Sequence, residues 1–144
     1  MPRNRHLEWQ VPYAPGRLEA IGYNGRKEAA RDFRETTGPA RSIQLLADRR
    51  MAKAGETVIL NAAMLDAKGR VVPTASNLLR FSVTNGTVIG VGNGNPNSIE
   101  PDVAAQRKAF NGFAQAILRA GSGPVDVSVA SEGLKGAQLR IIAL

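Results

Sequence analysis

Val58-Ile59-Leu60-Asn61-Ala62-Ala63-Met64-Leu65-Asp66-Ala67-Lys68-Gly69 is a strand followed by a turn. Val58, Leu60, Ala62 and Met64 fall on one side of an extended chain, because successive side chains of a strand point to opposite faces. Asp66, Lys68 and Gly69 then supply turn chemistry. The same period of two recurs on both sides of this stretch. Ile43 and Leu45 alternate with Ser42 and Gln44. Phe81 and Val83 alternate with Arg80, Ser82 and Thr84. Val88, Ile89 and Val91 follow Asn85-Gly86. Val125, Val127 and Val129 alternate with Asp126 and Ser128, and Leu139 and Ile141 with Gln138 and Arg140. Each strand has one apolar and one polar face. About seven such strands in about 100 residues predict an all-β chain, two antiparallel sheets packed face to face. Val58, Leu60, Phe81, Val83, Val127, Val129, Leu139 and Ile141 are the expected core.

Two segments read less simply. Ala104–Ala120 is rich in Ala, Gln, Arg and Leu, but Asn111-Gly112 interrupts it and Phe110, Phe113 and Ile117 make no long helical stripe. A short turn or helix near Val103–Gln106 and then a strand through Phe113–Leu118 are predicted. Upstream, Thr36-Thr37-Gly38-Pro39 reads as a linker. Before it, Leu7–Tyr13, Leu18–Tyr23 and Glu28–Glu35 are candidate strands, punctuated by Pro12, Pro15 and Gly16. Asn24-Gly25 is a two-residue hairpin signal. Three strands with few large apolar residues are marginal by themselves.

Composition narrows the function. Of 144 residues 43% are hydrophobic, enough for a core, and 15 glycines and 8 prolines suit a chain with many turns. No stretch approaches the roughly 20 apolar residues of a membrane helix, so no membrane partner is expected. With no cysteine there is no disulfide or thiolate metal site; the single histidine, His6, cannot build a multi-histidine site and reads as a solvated terminal residue. The net charge of +7 raises nucleic acid as a partner. The charge is spread, however: residues 1–41 hold 8 basic and 5 acidic side chains, and the rest 11 and 7. Without a basic helix or aromatic–basic interleaving, this reads as a solvated basic surface and no nucleic-acid partner is expected.

The candidate motifs lead away from catalysis and cofactors. Gly90-Val91-Gly92-Asn93-Gly94 resembles a dinucleotide loop, yet that loop must open a helix, and Asn95-Pro96-Asn97-Ser98 opens a turn. Asn93, Asn95, Asn97, Glu100 and Asp102 place oxygens within ten residues, but without the calcium-loop spacing; they read as a structured loop. None of the seven glutamates has the strand-end placement of a barrel enzyme, which needs at least about 200 residues. Trp9 and Tyr13 read as residues of a core or interface, with stacking on a sugar face as the alternative. The loop from Gly90 to Asp102 is long for a connection, and long ordered loops often carry function. Asn93, Asn95, Glu100 and Asp102 are therefore candidate contact residues, with Arg107 as a candidate ion-pair partner for Glu100 or Asp102.

Leu7-Glu8-Trp9-Gln10-Val11-Pro12-Tyr13-Ala14-Pro15-Gly16-Arg17-Leu18-Glu19-Ala20-Ile21-Gly22-Tyr23 resembles the closing strands of the β-sandwich that follows the barrel in bacterial family-2 glycoside hydrolases. Asp66–Pro73, "DAKGRVVP", looks like a hairpin of the immunoglobulin-like domain that comes next. Phe81-Ser82-Val83, Gly90–Pro96, Glu100-Pro101-Asp102 and Lys108–Gly112 are similar to its recurring motifs, in the same order. The resemblance implies residues 1–38 as closing strands of a preceding sandwich plus linker, and residues 39–144 as an immunoglobulin-like β-sandwich. It implies a non-catalytic accessory piece of a β-galactosidase-type enzyme that cleaves terminal β-galactosides or related β-glycosides with two barrel glutamates. None of those residues has a counterpart here, and no cofactor is implied. The expected partner is the remainder of the enzyme, in a periplasmic or extracellular setting, with homodimer pairing through residues 11–23. A bacterial immunoglobulin-like sugar-binding or adhesin spacer module is the alternative, and a freestanding basic protein that binds acidic polymers is a third. An in-frame barrel with two glutamates upstream separates the first two.

Overall fold

The computed structural model describes residues 7–144; His6 lies outside them. The described chain forms two compact units, divided after Thr36, and contains no helix.

In the first unit β1 (Arg17–Asn24) and β2 (Lys27–Glu35) make an antiparallel hairpin. Asn24 pairs with Lys27, so the turn residues are Gly25 and Arg26, one position later than the Asn-Gly signal suggests. Gly25 has a φ of 63° while Arg26 has none in the positive range. That combination is the type II′ turn, which needs glycine first. Leu7–Tyr13 is not a strand. Pro12 and Pro15 lack the N–H that a ladder requires.

The second unit is a sandwich of nine strands, two more than the alternation reveals. One sheet has the order β3 (Ser42–Ala47), β5 (Thr57–Leu65), β9 (Phe113–Ala120), β7 (Gly86–Gly92). The other has the order β4 (Met51–Ala52), β11 (Ala137–Ala143), β10 (Val125–Ala130), β6 (Leu78–Thr84), β8 (Gln106–Lys108). All pairings are antiparallel except β4 with β11. This is the immunoglobulin arrangement, four strands against a sheet that pairs the last two strands, β11 and β10, with β6. The two unforeseen strands, β4 and β8, are edge strands of two and three residues, too short to show a period.

The core is a single apolar layer between the inner faces. Ile43, Val58, Leu60, Met64 and Leu118 meet Leu79, Phe81, Val127, Val129 and Ile141. Of the expected core only Val83 differs. It is half-buried, because it sits near the end of β6, where its Cγ1 packs at the Gly86 corner. The Ala104–Ala120 segment resolves into bends, the short β8 and a tight hairpin into β9. Phe110 and Phe113 exchange both backbone hydrogen bonds, at 2.8 and 3.0 Å. Asn111 and Gly112 between them both have positive φ, 51° and 82°, a type I′ turn. A Cβ on Gly112 would stand 2.4 Å from the Val72 carbonyl oxygen, so close packing as well as φ demands glycine there.

Candidate functional site

Five of the sequence-derived site residues, Asn93, Asn95, Glu100, Asp102 and Arg107, come together around the loop that leaves β7. β7 carries a bulge between Val88 and Gly90 and ends at Gly92. The chain then folds on itself in Asx turns, in which a side-chain oxygen accepts the N–H two residues on. Asn93 Oδ1 accepts from Asn95 N at 3.0 Å, and Asn95 Oδ1 from Asn97 N at 3.0 Å. Asn93 Nδ2 donates to the Lys108 carbonyl at 2.9 Å, tying the loop to β8. Glu100 Oε1 accepts from Lys108 N at 3.2 Å.

Arg107 is the post of this loop. Its side chain is 5% exposed, on the inward face of β8. Nη1 donates to the Glu100 carbonyl and to Asp102 Oδ1, both at 3.0 Å. Nε lies 3.8 Å from Glu100 Oε2 and makes no hydrogen bond. A buried guanidinium is costly unless it is paired, so the Glu100–Asp102 segment is held against β8. Val91 N donates to the Asp102 carbonyl at 2.7 Å, which fastens the same segment to β7. Part of the hydrogen-bonding capacity that the sequence offers to a ligand is thus spent within the loop. Outward the loop presents Ile99, 99% exposed, and Val103, 82%, together with the Asp102 side chain, 84% exposed.

Trp9 and Tyr13 belong to the first unit, outside its strands, and are 68% and 81% exposed. Neither is a core residue of its unit, since a two-stranded hairpin has no second layer to cover it. The hairpin also exposes Leu18, Ile21, Tyr23 and Phe33. Among the described residues no three carboxylates or imidazoles converge as a metal site would require.

Asp66 was legible as a turn residue and not as the most tightly held carboxylate of the sandwich. Its Oδ1 accepts from Lys68 N and Arg70 N at 2.9 and 3.0 Å. Its Oδ2 accepts from Gly38 N at 3.1 Å and from Arg70 Nε and Nη2 at 2.9 and 2.6 Å. The Arg70 guanidinium and these amides hold the carboxyl far below its ordinary range. It joins the start of the unit to the β5 hairpin. The outer face of the five-stranded sheet has an open depression of about 530 Å³ lined by Ser82, Thr84, Asp126, Ser128, Gln138 and Arg140. There Arg140 grips Asp126 through two bonds of 2.6 and 2.9 Å.

Comparison with known proteins fits this geometry. The family model of glycoside hydrolase family 2 C-terminal domain 5 matches residues 43–140, and that of a domain of unknown function (DUF4982) matches residues 1–30. Over 145 residues the chain is 34% identical to the beta-galactosidase BoGH2A of Bacteroides ovatus, covering 97% of this chain and 17% of that protein. A glycosyl hydrolase family 2 member from Bacteroides cellulosilyticus superposes with a TM-score of 0.81 at 36% identity, covering 92% of this chain and 19% of the other. A beta-glycosidase from Bacteroides vulgatus gives 0.79 at 30% identity, covering 93% and 18%. The chain therefore spans less than a fifth of the length of these relatives.

Proposed function

The chain belongs to glycoside hydrolase family 2, as its C-terminal domain 5, and from this we propose that it is a non-catalytic accessory domain of a β-galactosidase-type enzyme. The observation that carries the reading is the 34% identity that covers nearly all of this chain and only 17% of a beta-galactosidase. The parent enzyme then hydrolyses terminal β-galactosides or related β-glycosides elsewhere in its polypeptide. A retaining glycosidase needs two carboxyl groups about 5 Å apart across the scissile bond. The carboxylates of the sandwich loop are occupied instead with Arg107 and backbone amides. In this reading Asn93, Asn95 and Glu100 frame the loop, and Arg107 with Asp102 anchors it.

The purified chain is expected to release no chromophore from a nitrophenyl β-galactoside above the buffer rate. Turnover that survives repurification and is lost on substituting one glutamate of this chain overturns the accessory reading.

Residues 1–38 are, in the same reading, the closing strands and linker of a preceding sandwich, and residues 39–144 the immunoglobulin-like domain. The exposed apolar groups of the hairpin support this, since two strands are marginal in water without a covering layer. In the chain by itself we propose that residues 11–23 pair with a second copy, because an open strand edge is a template for another strand. Light scattering is expected to give a dimer that becomes a monomer when residues 1–36 are deleted. A full-length monomer at micromolar concentration refutes the pairing.

A further inference from the structure

The two outer faces of the sandwich differ in kind. On the five-stranded sheet the central outward positions of β6, β10 and β11 are polar or charged, Ser82 and Thr84, Asp126 and Ser128, Gln138 and Arg140, and its exposed apolar residues, Met51 and Ile142, lie together at the β4 edge. On the four-stranded sheet the outward positions carry large apolar side chains interspersed with Gln44, Thr57, Asn61, Gln115 and Arg119. Ile59 on β5 is directly opposite Ile117 on β9, and Ile117 is opposite Gly90 on β7. Phe113 on β9 is opposite Ala63, and Leu46 lies on β3. Leu46, Ile59 and Phe113 are exposed and Ile117 partly so.

Gly90 leaves a gap in this face. A Cβ there would stand 3.9 Å from Ile117 Cδ1 on one side and 3.7 Å from the Asp102 carbonyl on the other. The gap is therefore flanked by Ile117 and by the segment that presents Val103, which the Arg107 anchor fixes in place. Inside the face Gln115 Nε2 donates to Asn61 Oδ1 at 2.9 Å, which meets part of the need of the two amides, and a covering surface must supply partners for the rest. Arg119, opposite Thr57 one row beyond Ile59 and Ile117, gives the face a basic end.

We propose that this outer face, Leu46, Ile59, Ile117 and Phe113 with Val103 beside them, is the surface by which the domain docks on the remainder of its own polypeptide. The complement is an apolar surface with a carboxylate at its rim. The inference rests on the accessory-domain reading. The size of the patch argues for this occupant over a second copy. With the polar positions Gln44, Thr57, Asn61, Gln115 and Arg119 counted beside the five apolar side chains, the face has ten residues, fewer than the roughly 20–30 a side of a stable interface between free chains. A tethered partner needs no such area, because the linker already supplies an effective concentration of about millimolar. The relatives provide the tether, since this stretch is 17–19% of one longer chain in each.

The test compares the full-length enzyme with this chain. Ile59→Lys with Phe113→Lys is set against Ser82→Lys with Gln138→Lys on the polar face, and a milder pair, Ile59→Thr with Phe113→Ser, guards against misfolding. In the enzyme both apolar-face pairs are expected to lower the melting temperature of this domain by about 5 °C or more, and the polar-face pair by under about 2 °C. In the lone chain all three pairs shift it by under about 2 °C. Equal shifts for the two faces in the enzyme overturn the proposal, as do shifts in the lone chain as large as those in the enzyme. So does a lone-chain dimer that the lysine pair dissociates, which would assign the face to a second copy. Failure of the accessory reading is seen separately, as galactoside turnover by the lone chain.

Discussion

Phe81→Ala is expected to destabilise the sandwich by about 3–5 kcal/mol, the largest single effect of any core truncation in this chain. Phe81 is the largest side chain of the core. On β6, an inner strand of the five-stranded sheet, it stands opposite Val129 and is almost fully buried. Its ring packs in the core between the sheets, and with no cysteine in the chain apolar packing does the work of the inter-sheet disulfide of antibody domains. Removing it leaves a cavity that two hydrogen-bonded sheets cannot close by moving together, so the transfer and cavity costs add. Urea unfolding followed by far-ultraviolet circular dichroism is expected to show a lower midpoint at unchanged slope. Val83→Ala, two residues along the same face, is expected to cost only about 1 kcal/mol, because Val83 is only partly buried at the edge of the core. Equal costs at the two positions contradict this core.

The second large effect is expected at Asp66. Asp66→Asn keeps the shape but removes the charge, and the new amide N–H₂ meets donors where the carboxylate met them. Gly38 N, Lys68 N, Arg70 N and the Arg70 guanidinium all point donors at this one group. At pH 7 the melting temperature is expected to fall by about 10 °C, on the scale of a broken buried network. The pH dependence has a definite sign. The folded-state pKa lies far below that of the unfolded chain, about 3.9. The carboxylate's contribution is therefore complete above about pH 5 and is lost as the pH falls through the unfolded value toward the folded one. Wild type and Asp66→Asn are expected to converge in stability between about pH 5 and pH 2. A gap that stays constant across that range assigns the effect to shape and not to charge.

The strands were legible where they are long and bury one face. Val125–Ala130 and Thr57–Leu65 announce themselves because each residue's neighbours alternate between core and water. β4 and β8 were not, because two or three residues cannot display a period and their pairing is dictated by strands far away in sequence. Asn111-Gly112 was visible as a breaker; that it makes a type I′ hairpin follows from the two phenylalanines flanking it. Asn24-Gly25 was visible as a turn, and the actual turn is one residue later because the flanking strands set the register. Trp9 and Tyr13 read as candidates to bury area, which burial requires a layer that their hairpin does not carry.

At the candidate site the sequence specified the chemistry but not its use. It placed Asn93, Asn95, Glu100, Asp102 and Arg107 within fifteen residues, with the amide and carboxylate groups that make either a ligand site or a braced loop. Only the fold decides between these uses. β8 turns Arg107 inward, where Glu100 and Asp102 meet it, and Asn93 and the Asn95 oxygen bond neighbouring backbone. The same holds for the two outer faces. Ile59, Phe113 and Ile117 are ordinary strand residues in the sequence, and Ser82, Ser128 and Gln138 are equally ordinary. Strand order brings the first set together on one face and the second set together on the other. By itself the sequence determined an all-β sandwich and its principal core, because burial imposes a local period of two. Which residues become neighbours across strands depends on pairings between distant segments, and those exist only in the folded chain.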